Sequence, residues 1–129
     1  MSEVVVIVDD GPYILHVLAI KLRNAGYTVY TAADGEAALD VCQNVVPDLI
    51  ITDYQMPYLT GPEFCWKYRE LSGRKLPILM ITARDFDVDG TELTKAGIDI
   101  AITKPFSPRE IIEQVRAALK KYKSPSSAA

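Results

Sequence analysis

The chain has 129 residues, 49% hydrophobic and 24% charged, with a formal net charge of −3. That length suits one domain with a core that needs no staples, and the composition excludes a disordered chain. The mildly acidic balance argues against non-specific nucleic-acid binding, which needs a basic field, and no apolar run approaches the ~20 residues that span a bilayer.

Val4-Val5-Val6-Ile7-Val8 is a continuous β-branched run, the pattern of a strand covered on both faces, and it ends at Asp9-Asp10. Pro12 suits the first turn of a helix whose stripe is Ile14, Leu15, Leu18 and Leu22, with Gly26 as its stop. Tyr27 to Thr31 reads as a short alternating strand. Asp34 can cap the next helix, in which Ala38, Leu39 and Cys42 face inward. Asp48 to Asp53 is a second apolar strand that ends on a carboxylate. Thr60 and Glu63 have capping-box spacing, so a helix is expected from about Pro62 to Leu71.

Ile78 to Thr82 is a third buried-type strand, and a weak helix containing Gly90 follows around Asp89 to Ala96. Ile98 to Thr103 is the fifth strand. Ser107 and Glu110 form another capping box, with Pro108 at the first helical position and Ile111, Ile112, Val115, Leu119 and Tyr122 as the stripe. The helix ends in Lys120, Lys121 and Lys123, cations that suit the negative end of its dipole. Residues 1–123 are read as one domain and 124–129 as a flexible tail or linker stub.

Strands alternating with helices imply parallel pairing through right-handed crossovers, an α/β doubly wound (βα)5 domain. Cys42 and Cys65 lack metal-ligand spacing and read as small apolar residues in a reducing compartment. Met1–Glu3 show no secretory leader, and a cytoplasmic protein is expected. His16 reads as a surface or boundary residue, and Trp66 and Tyr68 as packing residues.

In open parallel sheets function gathers at the carboxyl ends of the strands. Those ends carry Asp9-Asp10, Asp53, Thr82 and Lys104 before Pro105. One such residue alone would be a turn former or cap. Three carboxylates brought together repel strongly unless a cation intervenes. Carboxylates without nearby His or Cys select a hard ion, and Mg²⁺ keeps coordination sites open for phosphate oxygens. Lys104 supplies a point charge and Thr82 a hydroxyl donor for a phosphoryl group.

The ordered set resembles the receiver domains of two-component response regulators over residues 3 to about 122. It comprises Val8-Asp9-Asp10, Asp53-Tyr54-Gln55-Met56-Pro57 with Gly61, Ile81-Thr82-Ala83 and Thr103-Lys104-Pro105-Phe106. Residues 32–39 and Lys95-Ala96-Gly97 resemble further family signatures. The resemblance implies a flavodoxin-like sheet in strand order 2-1-3-4-5 and a signalling switch rather than a substrate-converting enzyme. It implies that Asp53 takes a phosphoryl group from a histidine kinase or phosphotransfer protein. Asp10, Asp53 and the backbone carbonyl of Gln55 would bind Mg²⁺, and Asp9 would act through a metal-bound water. Thr82 and Lys104 would contact the phosphoryl oxygens, self-dephosphorylation would follow, and the Lys104–Pro105 bond would be cis.

The family's frequent aromatic three residues before the lysine is replaced by Ala101. Ile98 and Ile100 stand where the family more often has small or acidic residues. An apolar face from the fourth helix, fifth strand and fifth helix is therefore a candidate for partner docking or homodimerisation. Gln55 and Arg84 could flank the phosphoryl group, with Arg84 slowing dephosphorylation by limiting water. Output passes to a downstream protein target or a fused output domain, with no nucleic acid or membrane engaged by this domain.

Two rivals fail on order and charge. A haloacid-dehalogenase-type phosphatase needs its Asp-x-Asp nucleophile on the first strand. A flavodoxin would place phosphate where Asp9-Asp10 would repel it, and no GxxxxGK[ST] or GxGxxG occurs. The remaining alternative is a constitutive adaptor or dimerisation module whose switch has decayed.

Overall fold

The computed structural model describes residues 2–83 and 90–122. Arg84 and the expected tail lie outside the described residues. The elements are β1 (Val4–Val8), α1 (Pro12–Asn24), β2 (Thr28–Ala32), α2 (Gly35–Asn44), β3 (Leu49–Asp53), α3 (Gly61–Ser72), β4 (Ile78–Thr82), α4 (Gly90–Ala96), β5 (Ile100–Thr103) and α5 (Pro108–Tyr122). Every strand pairing is parallel, in the order β2-β1-β3-β4-β5. This is the doubly wound α/β sheet that the alternation of elements implied, in the flavodoxin-like strand order that the resemblance implied.

The two faces of the sheet account for the unbroken β-branched runs. Val5 and Ile7 join Ile51, Leu79 and Ile81 in one apolar cluster, with Leu18 and Leu22 of α1 and Ile111, Val115 and Leu119 of α5. Val6 and Val8 point the other way, to a cluster with Ala38 of α2 and Phe64, Cys65 and Tyr68 of α3. Successive residues thus serve opposite helical layers. Burying each large side chain contributes roughly 1.5–3 kcal/mol, which fixes strand register because a one-residue slip would exchange the two sets.

Local signals set the helix starts. Asp34 Oδ1 accepts the Ala37 N–H at 2.8 Å. Thr60 and Glu63 make both bonds of the capping box, at 3.2 and 2.8 Å. At α5 the Ser107 hydroxyl accepts the Glu110 N–H at 3.1 Å, but the reciprocal bond is not made among the described residues. That capping box is therefore half formed.

Several strand boundaries differ from the sequence expectation; β3 begins at Leu49 rather than Asp48, whose carboxylate instead accepts the Val4 N–H at 2.7 Å. Tyr27 lies in the turn that closes α1, its N–H donating to Leu22 O at 3.1 Å, so β2 begins one residue later and runs on to Ala32. Ile98 is not in β5. Gly97 takes φ +76°, the Ile98 N–H turns back to Leu93 O at 3.0 Å, and the strand begins at Ile100.

Candidate functional site

The strand order reverses direction on either side of β1, so a crevice opens beyond the carboxyl ends of β1 and β3. Register decides what lines it. Val8 pairs with Thr52, so Asp9 and Asp53 follow side by side. Thr82 pairs with Thr103, which carries Lys104 to the same edge, where its N–H donates to Thr82 O at 2.8 Å.

Asp9, Asp10 and Asp53 each present a carboxylate oxygen within 4.8 Å of the other two. Asp9 is buried, Asp53 is only 7% exposed, and Asp10 faces solvent. Asp9 is aimed by its own loop, with Oδ1 accepting the Gly11 N–H at 2.8 Å. Its other oxygen is buried and has no hydrogen-bond partner. An orphaned buried carboxylate oxygen is costly, and beside two more carboxylates it is the donor set a hard cation would complete.

Asp53 Oδ1 accepts the Tyr54 N–H at 2.9 Å and faces Lys104 Nζ at 3.7 Å. Burial first, and then the Asp9 charge, push the Asp53 carboxyl up from 3.8 to about 6, although Lys104 pulls the other way. Asp9 is raised as well, chiefly by burial. One lysine at 3.7 Å does not offset that crowding. The pocket is short of positive charge.

Of the remaining residues singled out in the sequence, Thr82, Gln55 and Pro105 lie at this edge of the sheet and the others are spread over the fold. Thr82 is buried at the tip of β4, with its hydroxyl 3.5 Å from Ala83 O. Gln55 is exposed in the loop after Asp53. The Lys104–Pro105 peptide is cis. Ala101 is exposed, whereas Ile100 packs against the core from a half-buried position. His16 lies on the surface, Cys65 is buried and Cys42 half-buried, both as free thiols. Tyr68 packs as expected, but Trp66 does not: it is 51% exposed.

Two contributions of the structure were not read from the sequence. Gly61 opens α3 directly against β3: a Cβ there would collide with the Asp53 carbonyl oxygen, and the Gly61 N–H donates to Tyr54 O at 2.7 Å. Its place in the motif marked it, but only the close backbone approach gives the reason. The second is a bond from the Tyr54 hydroxyl to Glu92 Oε1 at 2.8 Å, which ties the loop after Asp53 to α4. No local spacing signals a contact between residues so far apart.

Fold and pocket together define a doubly wound α/β protein with an aspartate-centred site at its switch point. Residues 5–116 match the family model of the response regulator receiver domain. The chain is 42% identical over 123 residues to the alkaline phosphatase synthesis transcriptional regulatory protein PhoP of Bacillus subtilis, covering 94% of this chain and 50% of PhoP. It therefore spans half the length of that relative.

Among solved structures, chemotaxis protein CheY4 of Vibrio cholerae superposes with a TM-score of 0.84 at 34% identity, covering 92% of this chain and 99% of that one. A CheY-like receiver domain protein of Methanospirillum hungatei gives 0.86 at 27% identity, with 94% and 96% covered. The chain belongs to the response regulator receiver domain family, the phosphorylation-linked signalling switches of two-component systems.

Proposed function

We propose that this domain accepts a phosphoryl group on Asp53 from the phosphohistidine of a sensor kinase or phosphotransfer protein, in a Mg²⁺-dependent reaction, and then hydrolyses it. The observation that carries the reading is the convergence of Asp9, Asp10 and Asp53 within 4.8 Å, with Lys104 3.7 Å from Asp53.

Asp53 Oδ would form the new P–O bond as the donor's P–N bond breaks, giving a mixed anhydride. The Tyr54 N–H holds the Asp53 carboxylate in place. Lys104 and the Thr82 hydroxyl would donate to the phosphoryl oxygens, over which charge spreads in the transition state. Asp10, Asp53 and the Gln55 carbonyl would hold Mg²⁺, with Asp9 acting through a water. When bound, the ion neutralises the carboxylates and draws in phosphoryl oxygens. The buried, unpartnered oxygen of Asp9 fits that role.

Output would pass to a downstream protein or a fused output domain, and the α4-β5-α5 face is the candidate for homodimer contact. No described helix is long and apolar enough to cross a membrane. Incubation with Mg²⁺ and acetyl phosphate, followed by intact-mass measurement, tests the central claim. One added phosphoryl group is expected, absent without Mg²⁺ and absent in Asp53→Asn. A wild-type mass that stays unchanged would make the domain an inert adaptor.

A further inference from the structure

The opposite edge of the sheet carries a second surface with its own chemistry. Trp66 and Arg69 of α3, Arg74 and Lys75 of the loop into β4, and Lys95 of α4 line a groove of about 410 Å³. Arg69 and Lys75 also border an adjoining cavity of about 290 Å³ beside Gly97 and Tyr122. Lys67 and Lys95 extend the rim along the cleft between α3 and α4, past the far side of Trp66.

These cations outnumber the carboxylates of the groove itself, where Arg69, Arg74, Lys75 and Lys95 face Glu70 among the described residues. Among the described residues, the one ion pair is Lys104–Asp53, so neither these four nor Lys67 has a carboxylate within 4.0 Å. The other nearby acids lie outside the groove: Glu63 and Glu92 border the cleft with Lys67, and Asp99, which accepts the Ile78 N–H at 2.9 Å, borders the adjoining cavity. A chain of net charge −3 thus concentrates five of its 14 Lys and Arg residues at one end.

Part of the surface is prearranged. The Arg74 guanidinium is held by Pro47 O and the Tyr68 hydroxyl, both at 2.9 Å. The Arg69 side chain lies over Gly97, where a Cβ would crowd its Cδ and Cζ at 3.0 Å. Guanidinium groups fixed before binding lose little entropy when a carboxylate arrives. Between them and Lys95 stands Trp66, 51% exposed. Tryptophan and arginine are the side chains that most often anchor protein contacts, and an exposed indole flanked by cations offers apolar area inside a positive field.

We propose that this surface docks an acidic segment of a protein partner, its carboxylates over Arg69, Arg74, Lys75 and Lys95 and an apolar side chain against Trp66. Charge complementarity selects the occupant. Four cations match a short run of Asp and Glu, whereas the acidic remainder of the molecule opposes a long polyanion. The site lies at the end of the sheet opposite Asp53 and does not depend on phosphoryl transfer.

Trp66 is the single tryptophan, so its emission reports on the groove alone. The test titrates the protein with a short amidated peptide of glutamate and leucine at low salt. A saturable change in Trp66 emission is expected, with the dissociation constant rising on the order of tenfold between 50 and 200 mM NaCl. A glutamine–leucine peptide should give no change. The Lys75→Glu/Lys95→Glu variant, altered at two exposed side chains, should keep the wild-type circular dichroism spectrum and lose the response. No emission change with the acidic peptide overturns the proposal. So does tighter binding of a single-stranded oligonucleotide or of phosphatidylglycerol vesicles, or an undiminished response in a folded double variant.

Discussion

The two ends of the sheet hold opposite charges by opposite means. At the carboxyl edge, register forces Asp9 and Asp53 together out of water, and Asp10 joins them within 4.8 Å. At the amino edge, Arg74 and Arg69 are braced by neighbouring atoms while Lys75 and Lys95 stand in solvent. The first end is paid for in raised carboxyl pKa values and an orphaned oxygen. The second carries like charges that water still screens. Crowding and burial mark a place where charge must be neutralised by chemistry; exposure and bracing mark a place suited to a partner.

The largest expected effects lie at the crowded end. Asp53→Asn should abolish phosphoryl uptake altogether. Lys104→Ala should slow uptake from acetyl phosphate on the order of 100-fold, because one preorganised charge aimed at the phosphoryl oxygens is removed. A Lys104→Ala protein as fast as wild type would show that the 3.7 Å ion pair has no part in the transfer.

The same crowding predicts a pH signature. With its carboxyl raised from 3.8 to about 6, native Asp53 binds more protons than the unfolded chain between those values. Stability without metal should therefore fall as pH rises through that window and level off above it. The difference corresponds to about 3 kcal/mol. Asp53→Asn should recover most of it at pH 7.5 and nothing near pH 4, read by urea unfolding in EDTA. Mg²⁺ should stabilise the wild type more than the variant at pH 7.5. Equal urea midpoints for the two proteins across the range would break the contrast between the ends.

Gly61→Ala should destabilise by about 1–3 kcal/mol, since its Cβ must push the Asp53 carbonyl aside. Phosphoryl uptake should fall with it. An alanine variant as stable as wild type would mean that α3 can retreat without disturbing β3.

Much of the crowded end was legible in the primary structure. Unbroken β-branched runs ending on Asp9 and Asp53 declare both the buried strands and their charged tips. The Thr60–Glu63 box and Pro12 declare helix starts. The amino edge was harder to read. Ile98 keeps the alternation of Ile100 and Ile102 across Asp99, yet a hydrogen bond to Leu93 across Gly97 takes it out of the strand. Trp66 was read as packing because aromatics usually are. Phe64, Cys65 and Tyr68 instead set the buried face of α3 at i, i+1 and i+4, and Trp66 falls off it. The groove beside it exists only once α3 and α4 are neighbours. Tertiary placement is not written in any local period.

The smallest expected effect lies on a hydrogen bond between the loop after Asp53 and α4. Tyr54 follows Asp53, and its hydroxyl donates to Glu92 at 2.8 Å. Glu92→Ala should cost about 1 kcal/mol, because it removes a charged acceptor in a half-buried contact. Glu92→Gln should cost less, since the amide oxygen still accepts. The loss should be local: amide exchange should quicken in α4, a seven-residue helix with Ala96 as its buried residue, while the β3 and β4 amides keep their protection. Exchange that rises evenly over the whole sheet would place the effect in global stability and leave α4 anchored by its packing alone.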